Sequence, residues 1–489
     1  MKFNFRIKII AVFAGLAIIA TPGCKKFLDV NDSPNSPKTA TEELLLPSTQ
    51  AAIGMVVGNP LQIFGSIYAQ YWTQSPFSSQ YKTIDQYQSN PSDFNRVWGI
   101  LYNDALRDIT VLEQSKKINY VAIALIEKAY IFQLLTDAFG DVPLKGALQG
   151  LDNLSPNFDS QEEVYDSIFA WTKRGIALTT VSAVNYPGKD DLVFGGGEAG
   201  MENWKEFGNT LLLRAYLRLS EVAPEKAQAG IQELYATNPA FLTTDAKIQY
   251  QNVGGNQNPL YAEGVALQRT ANLVASETAV SAYEANNGPR KEIFYLKNAA
   301  VGKVVGIPQG SFGTQPDVNP SFPAPVTGAR FRIDFEEASS VAPVKLMTAA
   351  EAYLLQAEAV AREWAPAGNT NELFLAGIKA SFDAYEIPEA DYTTYITTSP
   401  AAQLPADKQG MIKAIITQKY YAMNGNQGFE AWTEWRRTGY PDFLVVSQAS
   451  SLGTNQMPAR LLYPETEITR NSNFPGVKLI TDKVWWDKP

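Results

Sequence analysis

AYIFQLLTDAFGDVPLKGAL (129–148) is the stretch from which the fold is read. It continues an apolar run that begins near residue 120. Val121, Ala122, Leu125, Ile126, Ala129, Phe132 and Leu135 cover most of the circumference at 3.6-residue spacing, which predicts a buried helix over 120–139. Gly140-Asp141-Val142-Pro143 stops it, a glycine C-cap followed by proline.

Outward from this helix the pattern stays mostly helical from about residue 41. A helix over 95–117 precedes it. Ser160-Gln161-Glu162-Glu163 reads as a capping box opening a helix to about Leu178, and Thr348-Ala349-Ala350-Glu351 as a second one. Trp204, Phe207, Leu211, Ala215 and Leu219 form one apolar stripe. The helix after Thr348 and the one starting at Asn369 make an α-hairpin, and further helices are expected at 408–423 and 428–437. Successive helix pairs suggest a TPR-like arrangement, although no exact repeat is present. Two stretches break the pattern: 185–201, with Gly195-Gly196-Gly197, and the proline-rich 298–345. Neither has the form of a phosphate-binding loop. Long irregular segments of this kind tend to carry function.

The N-terminus reads as a lipoprotein signal. Lys2, Arg6 and Lys8 precede an apolar run from Ile9 to Ala20, too short to span a membrane, which needs about 20 residues. Ile19-Ala20-Thr21-Pro22-Gly23-Cys24 then matches a bacterial lipobox, with Thr21 where Leu is usual. Residues 1–23 are thus expected to be removed and Cys24 to carry lipid. Residues 24–40, with Asn31-Asp32-Ser33-Pro34, are expected as a flexible leader. They lack the glycine and closing Glu of a calcium loop. Residues 41–489 are expected as a single helical domain. Cys24 is the only cysteine, so no internal disulfide forms.

Composition excludes several functions. The chain has 41 Lys and Arg against 50 Asp and Glu, a net charge of −9, and losing the signal would make it more acidic still. That argues against nucleic acid, which needs a basic field. The absence of histidine rules out Ser-His-Asp and Cys-His nucleophiles and His-ligated zinc. No cofactor or metal is expected. The chain is rich in rings, with 9 Trp, 23 Tyr and 24 Phe. Aromatic faces with amides suit sugars and peptides, while core packing accounts for most individual rings.

Several segments together are similar to one family. AYIFQLLTDAFGDVPLKGAL (129–148), AEAYLLQAEAVAREW (350–364), IITQKYYAMNGNQGFEAWTEWRRTGYPDF (415–443) and ARLLYPETEITRNSNF (459–474) resemble, in order, motifs of the SusD/RagB family. FLDVNDSPNSP (27–37) resembles its leader after the lipidated cysteine. The resemblance implies a mainly α SusD-like fold, with TPR-like helical pairs as scaffold and irregular loops as ligand site. It implies an outer-membrane, lipid-anchored, surface-facing lipoprotein. Such a protein has no enzymatic activity; it works as a lid on a SusC-like TonB-dependent transporter and delivers oligosaccharides, or in some members peptides. Trp432, Trp435, Arg436 and Arg437 are then either a ligand clamp or a structural clasp. The clasp is favoured, because the family shares this element among members with different ligands. Asp137, Gly140, Asp141 and Pro143 follow the same logic.

Ligand contacts are therefore expected in the loops. Residues 68–87 offer Tyr71, Trp72, Gln74, Tyr81 and Tyr87, and residues 307–322 offer Gln309, Phe312 and Gln315. Rings there would stack on a sugar while amides meet its hydroxyls. Trp72 is the leading candidate; the competing view has Tyr71 and Trp72 packing at the end of a buried helix. Two alternatives to capture and hand-over stay open: a carboxylate-pair glycosidase, and a scaffold that binds only protein.

Overall fold

The computed structural model describes residues 40–488, apart from Gln268, Thr270, Pro325, Gly328, 331–336, Ala367 and Thr454. The signal peptide, Cys24 and the leader up to residue 39 lie outside the described residues. From Glu42 onward the chain forms one unit.

Helices dominate it. α1 (Glu42–Gly58) and α2 (Pro60–Tyr68) are one apolar arm interrupted at Asn59-Pro60. α3 (Asn95–Gly99) passes through a π-helical turn, Ile100–Leu106, into α4 (Arg107–Leu112), which packs on α1. α5 (Ile118–Phe139) is the predicted buried helix, two residues longer at its start. It is long and apolar enough to cross a membrane, yet 89% of its apolar window is buried in the fold. It pairs with α6 (Gln161–Leu178), α6 packs on α7 (Gly197–Arg218), and α7 pairs with α8 (Pro224–Ala236). After an irregular stretch holding α9 (Pro259–Ala266) and α10 (Glu277–Ala285), the pairs resume. α11 (Ala349–Ala361) packs on α12 (Thr370–Asp383); then come α13 (Glu389–Thr398), α14 (Lys408–Met423), α15 (Gly428–Thr438) and α16 (Glu465–Arg470). These stacked pairs are the helical scaffold expected from the periodicity.

Strands are short and serve the loops. β1 (Trp72–Gln74) pairs antiparallel with β3 (Leu273–Ala275), Trp72 opposite Ala275. β2 (Ala246–Ile248) pairs with β6 (Val344–Met347). Between them in sequence lies a hairpin of β4 (Val326–Thr327) and β5 (Ala329–Arg330).

The two expected capping boxes differ. At Ser160 it is complete: the hydroxyl accepts from the Glu163 N–H at 3.4 Å and the Ser160 N–H donates to the Glu163 carboxylate at 3.3 Å. At Thr348 only half forms. Thr348 accepts from the Glu351 N–H at 3.1 Å, but the Glu351 carboxylate turns inward to Arg214 and Gln427, at 3.3 and 2.6 Å. A buried arginine on α7 outcompetes the local cap.

The arginines of the WTEWRRTG segment form a clasp. Arg437 is fully buried and grips both Glu358 oxygens, at 2.7 and 2.8 Å, and Glu434 at 2.6 Å. Arg218 of α7 meets Asp137, Glu430 and Glu434, and Lys419 meets Glu434 at 2.9 Å. Burial alone would raise the Glu434 carboxyl, but Arg437, Lys419 and Arg218 outweigh it and hold it well below the usual range. The network ties α5, α7, α11, α14 and α15 at one point.

Candidate functional site

The loops predicted to bind ligand are held from beneath by amides and rings. Asp85, fully buried, accepts from the Thr73 hydroxyl at 2.8 Å, the Gln74 N–H at 2.6 Å and the Gln309 amide at 2.5 Å. Burial pushes its carboxyl up to about 6, against the pull of those donors. Gln309 also donates to the carbonyls of Ile67 and Trp72, and the Gly310 N–H donates to Thr73. The segment around 307–311 is thereby folded onto β1.

Most of the candidate contacts lie beneath the loops in this structure. Tyr71, Trp72, Gln74, Tyr87 and Gln309 are buried, Trp72 at 1% exposure. The Tyr71 hydroxyl donates to the Tyr420 carbonyl and its ring lies 4.5 Å from that of Tyr420. Gln74 accepts from the Tyr81 N–H at 2.6 Å. The Tyr87 hydroxyl accepts from the Ser447 N–H at 3.0 Å. Trp72 lies in β1 with Ala275 of β3 opposite it in register. These side chains pack beneath the loops and support them, Tyr71 and Trp72 among them. Phe312 is half-buried with the Lys82 ammonium 5.5 Å from its ring, and Gln315 is exposed. Phe77 is 48% exposed in the same neighbourhood, which is anchored by bonds from Ser78 and Gln80 to Ala271 and Asn272.

Tyr81 lines a cavity. It is a cleft of about 190 Å³ at the N-terminal end of α2. Ile63, Phe64 and Ile84 make an apolar wall; Asn59, Gln80, Asp93, Arg96 and Glu263 make the polar side. Arg96 and Arg269 hold the two Glu263 oxygens at 2.8 and 2.6 Å, and Asn59 adds a bond at 2.7 Å. Burial, with Glu263 adding to it, pushes the Tyr81 hydroxyl up to about 12, so it stays a neutral donor. Asp93 is engaged by the Asn90 N–H at 2.8 Å. Both cleft carboxylates thus have partners within the protein. Arg96, Glu263 and Arg269 were missed by sequence reasoning because they come from separate segments with no shared local pattern.

The loop at 185–201 is structural. Buried Asp191 collects the Gln50 amide, the N–H groups of Val193, Phe194 and Gly196, and the Trp204 indole at 2.9 Å. Among the described residues no group of three or more acidic, His or Cys side chains is placed to hold a metal.

Stacked helical pairs carrying irregular loops and a cleft define the class of fold, and comparison assigns the family. Residues 34–464 match the SusD-like family described as starch-binding and associating with the outer membrane, and the chain belongs to it. No curated protein sequence matches the chain. Among solved structures, a chitin-binding SusD homolog from Flavobacterium johnsoniae superposes with a TM-score of 0.74 at 22% identity, covering 91% of this chain and 98% of that one. A SusD homolog from Bacteroides uniformis gives 0.74 at 24% identity, covering 91% and 99%. One from Bacteroides fragilis gives 0.71 at 22% identity, covering 92% and 100%.

Proposed function

We propose that this protein captures a nutrient oligosaccharide at the cell surface and hands it to a SusC-like TonB-dependent transporter, breaking no bond. Family membership over residues 34–464 supports the class of activity, and the chitin-binding neighbour supports a glycan. The observation that carries the site is the cleft beside α2. It offers an apolar wall, a neutral tyrosine hydroxyl, two amides and a fixed Arg96–Glu263 pair. Such a set stacks on a sugar ring and exchanges directional hydrogen bonds with its hydroxyls.

The test is a titration with chito- and malto-oligosaccharides and with peptides of similar size, followed by tryptophan fluorescence. Wild type is expected to bind one glycan class, and Arg96→Ala to weaken it about tenfold, equivalent to about 1.4 kcal/mol. Binding of peptides alone moves the assignment to the peptide-delivering branch. Glycan binding unaffected by Arg96→Ala removes the cleft as the site. Crosslinking in whole cells is expected to recover a β-barrel partner, and recovery of the protein alone counts against hand-over.

A further inference from the structure

A second cavity, sharing no lining residue with the first, lies where the last turn of α15 meets the C-terminal segment. It measures about 350 Å³, inside the range of roughly 300–1,000 Å³ in which small-molecule sites fall, and is larger than the cleft beside α2. Its walls come from separate stretches of chain: the end of α15 with Gly439, residues 455–459, and residues 481–487. Bonds between these stretches hold the walls in place. The Trp432 indole donates to the Pro458 carbonyl at 3.2 Å, and Arg436 donates to the Ala459 carbonyl at 3.1 Å. The Ala459 N–H in turn donates to the Ile480 carbonyl at 2.8 Å. Gly439, in the left-handed region at φ 73°, ends α15 with its N–H on the Trp435 carbonyl. The cavity is therefore built into the fold before any ligand arrives.

Two of its charged members are taken up by the fold. Arg436 is 2% exposed and bonds to the carbonyls of Asp137 and Ala459 and to the Thr433 hydroxyl. Asp487 is buried and lies 3.5 Å from Lys483. The accessible lining is otherwise neutral: half-buried Trp435, Met457 and Thr481, and exposed Asn455 and Gln456. Gln456 accepts from the Gly453 N–H through Oε1 at 3.2 Å, so its amide nitrogen is the donor it offers a ligand. Thr481 can donate or accept. An indole beside amides and a hydroxyl matches a sugar ring, which has an apolar face and a rim of hydroxyls.

Taking the capture of a glycan proposed above as the premise, we infer that this cavity is a second sugar site. It holds one neutral pyranose ring against Trp435, with Asn455, Gln456 and Thr481 bonding the hydroxyls. Because the two cavities share no lining residue, each site can be removed without touching the other.

Calorimetric titration of the protein with chitotriose and with maltotriose tests this. One of the two sugars is expected to bind twice per chain. Arg96→Ala should weaken one event and leave the other unchanged. Gln456→Ala, on an exposed turn where the fold does not depend on it, should weaken the other event about fivefold. Trp435→Ala should weaken the same event about tenfold, and Trp435→Phe, which keeps a ring, should lose less. A single event that responds to Gln456→Ala and not to Arg96→Ala upholds this cavity and removes the cleft. A single event weakened by Arg96→Ala and indifferent to Gln456→Ala and Trp435→Ala overturns the second site and leaves the cleft standing. Two events, neither of them sensitive to Gln456→Ala or Trp435→Ala, overturn the cavity as the place of binding. Binding of neither sugar overturns the glycan premise, and this site with it.

Discussion

Glu127 lies in the middle of α5 at 2% exposure, with neither carboxyl oxygen hydrogen-bonded. Burial pushes its carboxyl well above the usual range, Gln50 nearby offsetting part and Asp191 adding to it. A folded carboxyl raised in this way costs nothing while the unfolded chain is also protonated. The cost appears as pH climbs past the unfolded value near 4.5 and grows until the folded group ionises. Glu127→Gln removes that cost. It should stabilise the protein at pH 7, seen as a gap in the urea midpoint that closes toward pH 4. A gap of constant size across that range would place the effect in packing instead. Arg437 gives the opposite case. Its removal as Arg437→Met takes from buried Glu358 one of its two arginine partners, leaving Arg362 at 2.8 Å, and breaking a buried pair in this way costs up to roughly 3–5 kcal/mol. Denaturation of Arg437→Met should show that loss, and Glu358→Gln in the same chain should recover part of it. An unshifted midpoint would mean the clasp does not hold the helices.

At the scale of elements, α2 and α15 cross at two glycines. A Cβ on Gly65 would sit 2.1 Å from the Phe429 nitrogen, and one on Gly428 would sit 2.3 Å from the Ser66 hydroxyl. Backbone against backbone cannot yield as a side-chain tip can, so Gly65→Ala must push the helices apart. The Tyr68 and Trp432 rings beside this crossing, 5.0 Å apart, would separate with them. The expected loss exceeds about 1–3 kcal/mol and comes with a changed near-ultraviolet dichroism. Gly99→Ala, whose nearest neighbour is 3.8 Å away, is the control and should be neutral or slightly stabilising. Equal effects at the two positions would refute the close crossing. These helices were legible in advance because their signals are local. An apolar run such as 120–139, a stop at Gly140 and a cap at Ser160 are each decided within a few residues. The loop residues were not legible, because what pairs with the Trp72 strand is β3, far along the chain, and what holds Gln309 is Asp85. Aromatics and amides under a loop have the same composition as aromatics and amides facing a ligand. The half-formed cap at Thr348 failed for the same reason: Glu351 had a distant partner, Arg214.

At the scale of the whole molecule, the cleft beside α2 is lined by residues of the unit that begins at Glu42. We propose that the lipid expected on Cys24 supplies location. A lid of the proposed kind, opening and closing over a transporter, would be lost to the medium each time it opens unless something held it nearby, and a lipidated N-terminal segment would supply that hold at high effective concentration. One acyl chain gives only marginal membrane binding, so stable anchoring needs the additional chains a processed lipoprotein cysteine carries. Cys24→Ala should therefore yield a protein with the wild-type melting temperature and the wild-type glycan affinity. Cells carrying it should nevertheless fail to take up the ligand, with the protein no longer retained in the membrane fraction. Loss of affinity in the purified variant would mean the leader contributes to the site. Normal uptake with the protein released would mean the transporter retains its lid without a tether.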